Sequence, residues 1–132
     1  MPQTALLRTA AVCAAISGLG FGLPALYAPW YFAEHGEVWI FAGFPTYGDG
    51  PFETVGIPTS VPLLVAFALV CAAEVVVAVL LWRGRRAGTV LALVLLPVEF
   101  AFWIGFALPF GPLLAVVRTA AVALAARRRA AA

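Results

Sequence analysis

Three ionisable residues, Glu74, Glu99 and Arg118, lie inside stretches of sequence that are otherwise apolar. A charge near the centre of a bilayer costs about 2.5–3.5 kcal/mol on insertion scales, so such residues face the interior of a helix bundle or a wet cavity. One arginine can neutralise one glutamate, and burial beside a carboxylate favours protonation of the other. An acid held neutral beside a paired carboxylate is suited to proton transfer.

These three residues support two interpretations. In a membrane-embedded acid–base enzyme, Glu99 would be the acid or base, Glu74 its partner and Arg118 the electrostatic stabiliser. In the structural interpretation, Arg118 pairs with one glutamate to set the order of the helices, and the other glutamate is hydrogen-bonded to a backbone carbonyl. A proton or ion pathway through the same charges is a third hypothesis.

Aromatic residues follow Glu99 at helical spacing. Phe102, Trp103 and Phe106 come three, four and seven positions later and share its helix face. Pro97 removes a helical hydrogen bond just before Glu99 and is expected to kink the helix. An aromatic wall above a buried carboxyl predicts a ligand-binding site for a lipophilic or cationic molecule. The alternative is that these aromatic rings face lipid.

His35, between Glu34 and Glu37, is the only histidine. It is a candidate ligand-binding residue, as a proton relay or a weak metal ligand, or else a solvated loop histidine. Cys13 and Cys71 lie in apolar stretches and are expected to be small core hydrophobes. Since the chain has no CxxC motif and no Cys/His cluster, neither a metal site nor a cofactor is predicted.

The composition places these residues in a membrane protein. Hydrophobic residues make up 64% of the 132-residue chain and charged residues 11%, against about 45–50% and about 25% in soluble domains. A soluble fold of this size could not bury so much apolar surface, so the lipid bilayer is the predicted partner. The net charge of +2 provides no basic surface for nucleic acid. All the basic residues are arginines, which together with the Ala, Val and Leu content indicates a bacterial genome rich in GC.

Hydropathy predicts an all-α integral membrane protein, a bundle of four transmembrane helices in a single domain spanning residues 1–132. A helix needs about 20 apolar residues to cross a bilayer, and four segments qualify. When depth is measured along each predicted helix at about 1.5 Å per residue, Glu74, Glu99 and Arg118 lie near the midplane of the membrane. The predicted helices span residues 9–30, 61–82, 87–107 and 111–126, with a long loop at about 31–60.

The arginines predict the orientation. Apart from Arg118, they lie before the first helix, between the second and third, and after the fourth. The loop at 31–60 has no arginine or lysine but four acidic residues. The excess of positive charge on cytoplasmic segments then predicts a multi-pass protein of the inner cell membrane, with both termini cytoplasmic and the loop outside. Cleavage of the first span as a signal peptide is the competing interpretation.

The outer loop surrounds an apolar and aromatic stretch, residues 38–44, with turn residues. Loops of this length are often lids or binding loops, although an interfacial cap over the helix ends would have the same composition. Thr59 or Ser60 is expected to cap the second helix. Gly18 and Gly22 form a GxxxG pair that predicts close packing of the first helix in the bundle, or a homodimer.

Several segments together resemble the DoxX-like group of small four-helix bacterial membrane proteins. They are an Arg before a Gly-rich first span, the loop ending IPTSVP, a second span with a central Glu in AEVVVAVLLW, and the basic turn RGRRAG. LPVEF in the third span departs from that pattern. EXPERA-type sterol isomerase-like bundles are similar in architecture only. The DoxX-like group is heterogeneous, so the resemblance implies a fold and little about activity.

The sequence therefore supports three functional hypotheses. The first is a small bundle that binds a lipophilic ligand or assembles with a membrane-protein partner, without chemistry of its own. The second is an isomerase, cyclase or epoxide hydrolase acting on a lipophilic substrate. The third is the proton or ion pathway. The sequence has no Ser–His–Asp set and no phosphate loop, which argues against the common soluble chemistries.

Overall fold

A computed structural model describes residues 2–41, 44–108 and 110–131 of the chain. The first helix is α1, Gln3–His35, and it is followed by a two-stranded hairpin of β1, Ile40–Phe41, and β2, Phe44–Pro45. A single helical turn, α2, Pro51–Thr54, leads into α3, Val61–Trp82. The last two helices are α4, Arg86–Gly105, and α5, Phe110–Ala131. The prediction of an all-α fold is confirmed.

Four of the helices, α1, α3, α4 and α5, are long and apolar enough to cross a membrane. Their outward faces carry large apolar side chains such as Leu26, Leu69 and Val94, which are 64–70% exposed. A water-soluble protein does not display apolar surface on this scale, so the surroundings of these helices are lipid. The prediction of a multi-pass membrane protein with four spans is confirmed, whereas its inner-membrane location and orientation stay predictions.

The four long helices form a ring in which α1 packs against α3, α3 against α4, α4 against α5, and α5 against α1. The most extensive of these interfaces joins α1 and α3. Leu6 and Leu7 of α1 share an apolar core with Leu81 of α3 and Ala125 of α5, so the start of α1 lies beside the ends of α3 and α5. Neighbouring helices in the ring therefore run in opposite directions.

The ends of some helices differ from the ends of the predicted spans. Hydropathy locates only the part of a helix that lies in the membrane, whereas hydrogen bonding and capping determine where the helix begins and ends. The first helix continues past Trp30 to His35, where Gly36 adopts a left-handed conformation and its N–H binds the Phe32 carbonyl. The last helix continues through its arginines to Ala131, since Arg and Ala are strong helix formers and basic residues suit a helix C-terminus. Pro109, between the predicted third and fourth spans, lies outside the described residues.

The connection between α1 and α3 folds over one end of the bundle, and we call residues 36–60 the cap. The Tyr47 hydroxyl donates a 2.6 Å hydrogen bond to the Phe21 carbonyl of α1. Its ring is buried against Phe67 and Phe106. Tyr47 therefore fastens the cap to the bundle. Ala42 and Gly43, within the predicted aromatic stretch of the loop, lie outside the described residues.

Ser60 is the N-cap of α3, since its hydroxyl accepts a hydrogen bond from the Leu63 N–H at 3.3 Å. The neighbouring Thr59 instead donates to a carboxylate oxygen of Glu53 at 2.5 Å. The two N-cap candidates thus have separate roles: Ser60 caps the start of α3, whereas Thr59 forms a hydrogen bond within the cap segment, residues 36–60.

Candidate functional site

Glu74 of α3, Glu99 of α4 and Arg118 of α5 meet in the interior of the bundle. Their exposed fractions are 2%, 0% and 1%, so all three are shielded from the surroundings by protein. We call this group the charged layer. It lies between two apolar cores, one at the end of the bundle that carries most of the arginines and one beneath the cap. The sequence-based expectation that the three residues meet inside the bundle is correct.

The guanidinium of Arg118 binds both carboxylates, but unequally. It forms a fork with Glu99, in which Nη2 is 2.6 Å from Oε2 and Nη1 is 3.1 Å from Oε1. Glu74 contributes only Oε1, which accepts from Nη1 at 2.5 Å. Two parallel hydrogen bonds from one guanidinium set both distance and orientation. Glu99 is therefore the principal partner of Arg118, and Glu74 is an additional one.

A backbone carbonyl of α4 completes the surroundings of the guanidinium. Nη2 of Arg118 donates to the Ala92 carbonyl oxygen at 3.2 Å. Ala92 lies next to Leu93, whose carbonyl has no helical donor because Pro97 lacks an N–H. The helical hydrogen bond that Pro97 removes is thus next to the carbonyl of α4 that the Arg118 side chain binds.

The first helix closes the layer from the opposite side. A Cβ atom at Gly18 would come within 3.0 Å of the Cys71 carbonyl oxygen and 3.1 Å of the Glu74 Cβ. At Gly22 it would come within 3.1 Å of the Cys71 Cβ. The GxxxG pair therefore packs α1 against α3 inside one bundle, as expected. Cys71 and Cys13 are free thiols buried in the protein.

The charged layer has one cation for two carboxylates. If all three groups were ionised, the layer would carry one uncompensated negative charge in a low-dielectric interior, which is strongly unfavourable. Neutrality requires one proton held by the glutamates. Two polar atoms in the described part of the chain, Arg118 Nε and the Ser17 hydroxyl, are buried without a hydrogen-bond partner. The layer is thus enclosed by protein, and both terminal nitrogens of the Arg118 guanidinium are hydrogen-bonded within it.

The aromatic residues after Glu99 are packed rather than open to a ligand. Trp103 is 3% exposed and Phe106 is 4% exposed. The ring of Phe106 lies 5.3 Å from that of Phe67 and 5.2 Å from that of Phe52, while Phe102 contacts the same two rings. The rings above Glu99 therefore pack against side chains from α3 and the cap, and their role in ligand binding stays a prediction.

His35 lies far from the charged layer along α1, at its last residue. It is exposed, and its ring centroid is 4.3 Å from that of Tyr31. Within residues 2–41, 44–108 and 110–131, no group of three or more His, Cys, Asp or Glu side chains is arranged to hold a metal ion. His35 is thus an exposed side chain at the end of α1 that packs against an aromatic neighbour.

A different apolar site lies between α1 and the cap, and we call it the cap cleft. Its volume is about 380 Å³, within the range of small-molecule sites. One side of the cleft is open, since Phe41 on its rim is 65% exposed. Sequence reasoning included the aromatic cap stretch but missed Tyr47 and the wall from α1. The lining includes Phe21, Pro24, Trp39, Phe41, Tyr47 and Leu108.

The sequence pointed to a structural role of Tyr47 only indirectly. Its backbone has a left-handed φ of 61°, a conformation that costs energy for a bulky residue and persists where the surroundings impose it. The turn residues around it predicted a loop, but the burial of its ring depends on α3 and α4.

Comparisons with protein-family models, with curated proteins and with solved structures gave no match to this chain. The resemblance to DoxX-like proteins accordingly stays a prediction.

Proposed function

We propose that this protein binds a lipophilic small molecule in the membrane without chemistry of its own, and that the ligand occupies the cap cleft. The observation that carries the proposal is the cleft itself, about 380 Å³ in volume and lined by aromatic and aliphatic side chains of α1 and the cap. Such a site matches an apolar, uncharged molecule that partitions into the bilayer.

The charged layer supports the non-catalytic part of the proposal. An acid–base catalyst must come within hydrogen-bond reach of its substrate, but Glu99 is 0% exposed and already bound through both oxygens. The charges serve to hold α3, α4 and α5 in register. A membrane isomerase, cyclase or epoxide hydrolase, or a proton pathway, would require this layer to open.

In the cell, we place the protein in the inner membrane, with its arginine-rich end in the cytoplasm and the cap cleft facing outward. The distribution of charge supports this orientation, because every arginine except Arg118 lies at the end of the bundle opposite the cap. The ligand would enter from the outer leaflet or from the outer compartment.

The test uses the full chain in lipid nanodiscs and a fluorescent apolar probe of naphthalene type. Trp39→Ala and Phe41→Ala should each weaken probe binding by about tenfold, the effect of losing a buried aromatic contact of about 1.5 kcal/mol. Phe110→Ala is the matched control, because Phe110 is 68% exposed and does not line the cleft. Equal binding by all the variants would reject the cleft as the site.

Assembly with a membrane-protein partner is the second candidate function. Ile40, Phe41 and Val55 of the cap are 60–73% exposed, and exposed apolar patches of this kind mark interaction surfaces. Crosslinking in the native membrane, with a photoreactive residue at position 55, would distinguish the two functions. A single discrete protein adduct would favour assembly, whereas lipid adducts alone would favour the binding protein.

A further inference from the structure

Two crevices open onto the lipid-facing surface where the first half of α1 meets the second half of α3. Their volumes are about 490 Å³ and about 630 Å³, and they share Val12 and Trp82. Both are lined mainly by apolar side chains, and both lie at the end of the bundle opposite the cap. Together we call them the rim crevice.

Arg8 and Arg83 each line one of the two parts of the rim crevice, and Trp82 lines both parts. The guanidinium carbon of Arg8 is 4.8 Å from the centroid of the Trp82 ring, within the range of a cation–π contact. Both arginines are exposed, and neither forms a salt bridge within the described part of the chain. They hold two positive charges at the mouth of an apolar crevice.

The surrounding end of the bundle has no acidic side chain among the described residues. Of the six acidic residues, Glu74 and Glu99 are in the charged layer, Glu34 is near the cap end of α1, and the other three lie in the cap. A second parallel copy of the chain would bring its own arginines against these, and like charges repel. Charge complementarity therefore selects an anionic occupant over a second copy.

The apolar floor of the crevice suits an acyl chain. Val12, Leu19 and Val79 are 46–49% exposed along it. The floor extends along seven residues of α3, from Trp82 to Val75, which is about 10 Å at 1.5 Å per residue. This length is most of the thickness of one leaflet, since the whole hydrocarbon core is about 30 Å thick. Trp82 itself is half-exposed, as expected for an indole at the headgroup level.

We propose that the rim crevice is a binding site for an anionic phospholipid. The phosphate lies between Arg8 and Arg83, the glycerol region lies against Trp82, and one acyl chain follows α1 past Ala15 to Leu19. Zwitterionic lipids fill the same apolar floor but lack the net charge that the two arginines select. This site is separate from the cap cleft, so each proposal can fail without the other.

The experiment is native mass spectrometry of the full chain, titrated with phosphatidylglycerol or with phosphatidylcholine of identical acyl chains. The wild type should prefer phosphatidylglycerol. Arg8→Gln combined with Arg83→Gln should weaken that binding by about 30-fold, since each arginine near an anionic headgroup contributes about fivefold. Arg127→Gln combined with Arg128→Gln removes the same charge elsewhere on the basic end and should change it less than about threefold. Equal losses in both double variants would overturn the site.

Two further measurements separate a lipid from other occupants. Glycerol phosphate in excess should leave phosphatidylglycerol bound, because the acyl chain contributes to affinity; displacement would indicate a site for free phosphate and overturn the proposal. Phosphatidylglycerol with brominated chains, added as a minor component to a nanodisc, should quench tryptophan fluorescence in the wild type and clearly less in Trp82→Phe. Identical quenching in both proteins would show that the lipid binds elsewhere.

Discussion

Arg118 and Glu99 face each other as a planar fork across the interface of α5 and α4, with their closest atoms, Nη2 and Oε2, 2.6 Å apart. Both side chains are almost completely buried. The pair joins two helices that are connected in sequence only by the short turn after Gly105. It therefore determines how α4 and α5 face each other in the interior of the bundle.

Arg118→Leu should destabilise the bundle by about 3–5 kcal/mol, because it leaves the negative charge shared by Glu74 and Glu99 buried without a cation. The measurement is the free energy of unfolding in mixed micelles, followed by circular dichroism during a titration with sodium dodecyl sulfate. Arg118→Leu combined with Glu74→Leu and Glu99→Leu should recover most of the loss, since apolar replacement of a whole buried ion network is often neutral. Ligand binding by this triple variant would exclude a direct role of the charged layer.

Glu99→Gln should cost more stability than Glu74→Gln. Glu99 accepts through both oxygens, and a glutamine would turn its NH₂ group toward the guanidinium donors, at a cost of about 1.5–3 kcal/mol. Glu74 uses one oxygen, which a glutamine amide still provides, so its replacement should change stability by less than about 1 kcal/mol. The same unfolding titration compares the two, and an equal cost would contradict the unequal roles of the two carboxylates.

Gly18→Ala should destabilise the protein by about 1–3 kcal/mol, because the new methyl group would press against the Cys71 carbonyl and the Val75 side chain of α3. Gly20→Ala is the control on the same helix, where a Cβ meets nothing within 4 Å. It should be neutral, or stabilising by up to about 1 kcal/mol through helix propensity. If Gly18→Ala instead changed the oligomeric state at unchanged stability, the glycine pair would belong to a dimer interface.

Thr59→Val should loosen the cap at neutral pH and have no effect in acid. The hydrogen bond from the Thr59 hydroxyl, together with the Asp49 amide, lowers the pKa of Glu53 below its ordinary value. A lowered pKa in the folded state gives stability that is present above the ordinary glutamate pKa of about 4.3 and is lost as the pH falls through the lower value.

The measurement for the cap is amide hydrogen exchange of residues 49–59, corrected for the intrinsic effect of pH. The wild type should be better protected than Thr59→Val at pH 7, and the two should converge below about pH 4. The pKa of Asp49 is raised by burial and by the nearby charge of Glu53. Its contribution to stability therefore falls as the pH rises, whereas that of Glu53 increases. Asp49→Asn in both proteins removes that contribution, and a difference that persisted in acid would contradict the role of Glu53.

Hydropathy along the sequence predicted that the chain crosses a membrane and located the apolar part of each of its four long helices. The physical reason is that transfer of a helix into lipid depends on its length and on its content of apolar side chains, and both can be counted in the sequence. The bounds of α3 and the burial of Glu74, Glu99 and Arg118 could be predicted for the same reason. An ionisable residue in the middle of an apolar span has to be covered by other helices.

The contacts that these residues make could not be predicted, because they depend on how the helices pack. Whether Arg118 binds Glu74, Glu99 or both depends on the rotation of three helices about their axes, which nearly uniform apolar sequence does not specify. The aromatic rings after Glu99 pack against Phe52 and Phe67, which come from distant parts of the chain. The cap cleft likewise depends on Tyr47 reaching α1 across 26 residues of sequence, a contact that no local pattern encodes.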